Sequence, residues 1–344
     1  MNILSFKPKQ TTKKIISHLP ERARSVIISR YGLGADNKKM TLEAIGQTYG
    51  ITRERVRQIE NYALDKIKRS DAINREQPVF NELASTIDSL GIVLDEKTLL
   101  NYLFPKQQDE QNHLYFLLVI GDPFFREKED DNLKHRWHID SAFADKIYNA
   151  LGKLKERISE SDIIPEKDIF NIFIEYAGDV PRKYLNDRDV LTRWLSISKQ
   201  IDKNQLGDWG LASSPNINAK GMIDYAYLVI RQHGSPMHFA EVTKKISECF
   251  NRKAHVATCH NALIKDPRFV LVGRGLYALT EWGYMTGVVK DVIKQILEQG
   301  GSLSRDEIIE KVLKERYVKA NTILVNLQDP KLFKKTKDGK YIVV

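Results

Sequence analysis

Four side chains built for hydrogen bonding, Arg53, Glu54, Arg57 and Gln58, crowd the run TRERVRQIE. On a helix they share one outward face. Arginine offers a fork of donors to guanine O6 and N7, glutamine pairs with adenine, and glutamate accepts from cytosine N4. The competing chemistry is plainer: Glu54 and Arg57 can pair with each other on a solvated face.

What must position this crown is legible around it. Thr41 is placed to cap a helix that ends near Gly50, and a second helix begins at Thr52. Ile45, Tyr49, Ile51, Val56 and Ile59 supply an apolar register between the two. Gly46 is the small residue where the helices cross, and Gly50 is the turn, where a left-handed backbone is cheap only for glycine. That pattern is a helix-turn-helix, whose second helix puts its first turns into the DNA major groove. Upstream, Leu19, Val26, Ile27 and Tyr31 keep helical spacing after Pro20, and YGLGADNKK reads as a loop.

The totals agree with a polyanion partner. The chain has 344 residues and a net charge of +9. Residues 1–75 carry 16 Lys+Arg against 7 Asp+Glu, residues 76–215 carry 17 against 25, and residues 216–344 carry 21 against 13. A basic head and a basic tail therefore flank an acidic middle that repels phosphate. No apolar run reaches the ~20 residues of a membrane helix, and the N-terminus lacks a signal-peptide pattern. Two cysteines form no disulfide framework, which fits a reducing cytoplasm. We expect a cytoplasmic, nucleoid-associated protein.

Other chemistry is weaker. Cys249, His255, Cys259 and His260 lack any usual zinc spacing, so no metal or cofactor is expected. Asp88 and Asp95-Glu96-Lys97 faintly resemble a nuclease cluster but have no strand core beneath them. No P-loop, G-x-S-x-G or dinucleotide fingerprint occurs. We therefore expect no enzyme. Tyr225, Tyr227, Phe239, Phe269, Tyr277 and Trp282 read as core rather than as base-stacking platforms.

A repeat of roughly 60–70 residues fills the remainder. Its clearest copies are 218–284 and 286–344: three helices, then strand starts DPRFVLV and DPKLFKK, each followed by a glycine turn. Asp338-Gly339 marks a two-residue hairpin. Three helices closed by a hairpin are a winged helix. Residues 79–140 and 141–215 are expected to be degenerate winged helices, and the charged stretch 71–78 a linker. The fold class expected is mainly α, a helix-turn-helix followed by an array of winged helices. The wing residues Arg274, Lys334, Lys335, Lys337 and Lys340 are further candidates for DNA contact.

LPERARSVIISRYGL followed by TLEAIGQTYGITRERVRQIENYALDKIKR resembles region 4 of the primary bacterial sigma factors, over residues 15–70. The resemblance implies base contacts by Arg53, Glu54, Arg57 and Gln58 to a promoter −35 element. It also implies phosphate contacts by Arg22, Arg30, Thr41, Leu42 and Arg55, and a partner in the RNA polymerase core. Asn61-Tyr62 departs from the family pattern. The sigma regions that melt the −10 element have no counterpart, so the chain is not expected to open a promoter alone. PMHFAEVTKKI and HNALIKDPRFVLVGRGLYALTEWG resemble the HARE helix-turn-helix domain of the polymerase delta subunit. The function expected is sequence-specific, sigma-like DNA binding in transcription initiation. The alternatives are a delta-like polymerase accessory subunit with little sequence readout, and a DNA-recognition subunit of a restriction system.

Overall fold

The computed structural model describes residues 4–344 and is mainly α-helical, with small antiparallel sheets. It divides into two compact units: the chain up to Ser159 with Ile164–Asp202, and Glu160–Ile163 with Lys203–Val344.

The first unit opens with α1 (Pro8–Ile16), α2 (Glu21–Tyr31), α3 (Leu42–Tyr49) and α4 (Arg53–Lys68). Both α3 and α4 begin on a threonine cap. Thr41 accepts from the Ala44 N–H at 3.1 Å and Thr52 from the Arg55 N–H at 3.2 Å, satisfying donors that a helix's first turn leaves open. Gly50, at φ 62°, turns the chain between them. A Cβ on Gly46 would lie 2.6 Å from the Ile51 carbonyl oxygen, so a larger residue would push the crossing apart. Val26, Ile45 and Val56 are fully buried in a small core with Met40, Leu42, Ile51 and Ile59 around them. Tyr49, expected in that register, is 37% exposed. It is the last residue of α3, past the crossing at Gly46.

The expected linker 71–78 is instead helical. It holds α5 (Asp71–Arg75) and the start of α6 (Gln77–Leu90). Its charge hides one apolar anchor, Ile73, which packs against the main core beside Val79 and Phe80 just after it. Pro78 costs no hydrogen bond in the first turn of α6. Then come β1 (Val93–Asp95), α7 (Glu96–Leu103), α8 (Gln108–Ile120), β2 (Phe125–Glu127) and β3 (Arg136–His138). The strands pair antiparallel in the order β1-β3-β2, with Trp137 opposite both Leu94 and Arg126. A single core runs from Ile15, Ile27, Tyr31 and Ile67 to Phe80, Leu114, Phe116 and Trp137. The helix-turn-helix is thus fused to the segment behind it. At the centre lies α8, with eight of its 13 residues buried. Asn112 on α8 donates to the carbonyls of Gly32 at 3.0 Å and Asn37 at 2.9 Å, pinning the loop between α2 and α3.

The unit continues through α9 (Ser141–Arg157), α10 (Glu166–Ala177), α11 (Arg182–Leu185) and α12 (Arg188–Leu195) to β4 (Ile201–Lys203). α12 docks on the turn after α6. Trp194 Nε1 donates to the Gly91 carbonyl at 2.8 Å and Arg193 Nε to the Leu90 carbonyl at 2.9 Å.

In the second unit β5 (Trp209–Leu211) precedes α13 (Met222–His233), β6 (Met237–His238), α14 (Phe239–Phe250), α15 (Val256–Lys265), β7 (Phe269–Gly273) and β8 (Leu276–Leu279). The order β6-β8-β7 repeats that of β1-β3-β2. Tyr225, Tyr227, Phe269 and Tyr277 are buried in its core, with Phe239 and Trp282 half-buried at its edge. A further copy follows as α16 (Val289–Gly300), α17 (Arg305–Glu315), α18 (Ala320–Leu327), β9 (Phe333–Lys335) and β10 (Tyr341–Val343). There the first strand shrinks to a Leu303–Tyr341 bridge. The hairpin tip encloses Lys337–Gly339, one residue more than expected. Thr336 N–H bonds the Lys340 carbonyl at 2.7 Å, and Gly339 N–H bonds the Thr336 carbonyl at 3.1 Å. This is a tight turn followed by a left-handed glycine, the usual three-residue solution. Among the described residues no helix is long and apolar enough to cross a membrane.

Candidate nucleic-acid interface

The inner stripe of α4 is Val56, Glu60, Ala63 and Ile67, all buried. That spacing fixes the helix's rotation, so Arg53, Glu54, Arg57 and Gln58 all face outward and are exposed. One residue of the stripe is a carboxylate. Glu60 Oε1 accepts from the Tyr31 hydroxyl at 3.0 Å and from Arg30 Nε at 3.4 Å. Burial, and then the charge of Glu60, keep the Tyr31 phenol protonated, its pKa pushed well up. This buried lock ties α4 to α2. Sequence reasoning missed it, although a lone Glu on an apolar stripe was the available signal.

Arg30, its side chain 37% exposed, also donates through Nη1 to the Met40 carbonyl at 3.1 Å and so ties α2, α4 and the α2–α3 loop together. Arg22 and Arg55 remain exposed and lie together with Gln58. They line an open cavity of about 370 Å³ with Pro20, Ala23, Ile59 and Tyr62. Tyr62, where the sequence departs from the family pattern, is 53% exposed on this rim. Thr41 is exposed, while the Leu42 side chain packs into the small core, leaving its backbone at the start of α3 as the group facing out.

The crown is internally bonded. Arg57 grips Glu54 with both fork nitrogens, Nε to Oε2 at 2.8 Å and Nη2 to Oε1 at 2.7 Å. Those bonds hold the Glu54 carboxyl below its ordinary range and raise the Arg57 guanidinium. Arg55 Nη1 donates to Gln58 Oε1 at 3.0 Å. Both ionic partners are more than half exposed, so the pair is a weak, screened contact that a stronger acceptor can replace. Among the described residues Arg53 has no ion pair.

The wing residues are distant in sequence and belong to the second unit. Arg274 occupies the exposed turn between β7 and β8, and Lys334, Lys335, Lys337 and Lys340 line the exposed β9–β10 hairpin. The carboxylates weighed as a nuclease cluster have structural tasks. Asp88 accepts from the Tyr184 hydroxyl at 2.7 Å, Asp95 caps α7 through Thr98 N–H at 2.8 Å, and Glu96 pairs with Arg126 at 2.7 Å. Cys259 is buried and Cys249 exposed.

Comparison with known proteins assigns residues 15–69 to the family described as sigma-70, region 4. Over 68 residues the chain is 38% identical to a principal RNA polymerase sigma factor of Streptomyces griseus, covering 20% of each protein. It is 51% identical over 53 residues to an RNA polymerase sigma factor of Coxiella burnetii, covering 15% of each. With an RNA polymerase sigma factor of Nostoc it shares 45% over 60 residues, 17% of this chain and 15% of the relative. The chain thus spans a fifth or less of the length of these relatives. No solved structure matches. Residues 15–69 are a sigma-70 region 4 domain, whereas the resemblance of 222–283 to a delta-subunit domain is not shown by these comparisons.

Proposed function

We propose that this chain is a non-enzymatic transcription factor that reads a −35-like element of duplex DNA through Arg53, Glu54, Arg57 and Gln58 and engages RNA polymerase during initiation. The observation that carries this reading is the rotation of α4. Its buried stripe leaves the whole donor-and-acceptor crown in solvent, on a helix already capped and crossed for groove entry. Arg22, Arg55 and the N-terminus of α3 flank the crown and supply phosphate contacts, which position the helix without reading sequence. The segments 77–138, 222–279 and 289–343 are read as winged helices, because each closes three helices with a hairpin of the same strand order. Their basic wings at Arg274 and Lys334–Lys340 add backbone contacts.

Replacing Arg57 by Ala costs about 1–3 kcal/mol of specific binding and relaxes base preference at one position. Replacing Lys335 by Ala weakens all sequences alike and flattens the dependence on salt by about one counterion. Binding titrations on matched and scrambled duplexes at several salt concentrations separate the two. An Arg57→Ala variant with unchanged base preference overturns the groove assignment.

One observation favours a second reading. The Glu54–Arg57 and Arg55–Gln58 bonds engage three of the four reading groups with neighbours on their own helix. If they persist on DNA, the head contributes polymerase binding and little readout, as in an accessory subunit. Tight capture of polymerase from nuclease-treated extract, with sequence-blind duplex binding, identifies that case.

A further inference from the structure

Each copy of the three-helix segment ends its helices with one that either packs inward or faces out. In the first unit α8, the third helix of its copy, and α12, the last helix before β4, are consumed internally. α8 is mostly buried, and α12 is bonded to the backbone of Leu90 and Gly91. Both also carry acid at their starts: Asp109 and Glu110 on α8, Asp187 and Asp189 on α12. A carboxylate there repels a phosphate backbone.

The third helices of the second unit differ on both counts. α15 exposes Ala257, Thr258, Asn261, Ile264 and Lys265, one continuous stripe by helical spacing. α18 exposes Asn321, Thr322, Val325 and Gln328. No carboxylate occurs between Glu248 and Asp266, or between Glu315 and Asp329. Cations stand in both stretches, Lys253 and Lys265 at the ends of one and Lys319 before α18 in the other, exposed and without an ion pair among the described residues. Each helix is followed by an exposed basic hairpin. The two copies touch within one compact unit. Tyr317 N–H donates to the Val272 carbonyl at 2.6 Å, and buried Arg316 donates through Nη2 to the carbonyls of Met285 and Gly287.

From this we infer that α15 and α18 form a second duplex-reading element, in which Asn261 and Asn321 meet adenine edges in the major groove and the following hairpins hold the flanking phosphates. Asparagine pairs bidentately with adenine N6 and N7, and the exposed Ile264 and Val325 suit thymine methyls. A neutral helix between basic flanks is also what separates groove reading from plain phosphate binding. A protein partner for these helices is the rival, and the absence of acid from both helices, with Lys253 and Lys265 flanking α15 and Lys319 leading into α18, weighs against it. Both helices belong to one compact unit, in contrast to α8 and α12, which are held in the other.

This inference rests on the proposed duplex binding and is tested beside it. Binding-site selection on the full chain is run for the native protein, for Arg57→Ala, and for the double variant Asn261→Ala, Asn321→Ala. Two separate blocks of base preference are expected. Arg57→Ala flattens the first block alone. The double variant lowers preference in the second block by roughly 5- to 100-fold per adenine read, with the thermal transition and the salt slope unchanged because both side chains are exposed and uncharged. A single block that Arg57→Ala removes leaves the head assignment standing and overturns this inference, as does a second block indifferent to the asparagines. Absence of any selected sequence overturns both.

Discussion

α4 and α8 each close a three-helix motif, yet they are used in opposite ways. α4 buries one narrow stripe and presents everything else. α8 is wrapped by other elements, and its polar residues, Gln111, Asn112 and His113, are buried with its leucines. The difference teaches that a helix-turn-helix is not a reading head by topology alone. What decides is whether the helix's outer face is left over after the core is satisfied. Here α8 is spent holding α1 and the α2–α3 loop, and that expenditure is what keeps α4 rigidly displayed.

The strongest way to break the contrast is to spoil the presentation of α4. Gly46→Ala drives a methyl into the Ile51 carbonyl, and overpacking costs about 1–3 kcal/mol, here toward the upper end because the atom met is backbone. We expect a lower Tm by calorimetry and loss of specific duplex binding; an unchanged Tm means the crossing can widen freely.

Acid attacks the other side of the contrast. His113 is fully buried on α8 with neither ring nitrogen hydrogen-bonded. Burial pushes its pKa down to about 4, against a partial offset from Asp109, 3.5 Å away. Because the folded pKa lies below the unfolded one, the unfolded chain takes up the proton first as pH falls below ~6.5. Stability therefore declines between about pH 6.5 and 4, by roughly 3 kcal/mol in total from this residue. Urea denaturation of the native protein and of His113→Phe across that range checks it: the variant's curve should be flatter. Equal slopes would place the acid sensitivity elsewhere.

Asn112→Ala sharpens the contrast more gently. It strips the hydrogen-bond partner from the Gly32 and Asn37 carbonyls, at about 1–3 kcal/mol for groups left buried and unpaired. The α2–α3 loop should then exchange its amide hydrogens faster, with the base preference of α4 kept and its affinity modestly lowered. If affinity and exchange are both untouched, α8 is not what steadies the head.

Much of the reading face was written locally. Thr41, Gly46, Gly50 and Thr52 specify their caps, crossing and turn through interactions within a few residues, so their places could be read from the order of residues alone. The repeat signals at 222–279 and 289–343 were legible for the same reason, since turns and apolar spacing are local. The linker at 71–78 was not. Its charges dominate the composition, while Ile73 gains its partners only from the core that the folded chain builds.

Arg30 shows the same limit within the site. As a residue type it suits a phosphate, and only the folded chain brings Glu60 and the Met40 carbonyl to it. By itself, then, the sequence determined which side chains are chemically able to meet DNA and on which face of α4 they stand, because propensity, capping and helical period act over a turn or two. Which of those groups stay free, and which third helices are swallowed by the core, was decided by the tertiary structure, because burial and pairing depend on partners that the chain meets only after it has closed over distances of tens of residues.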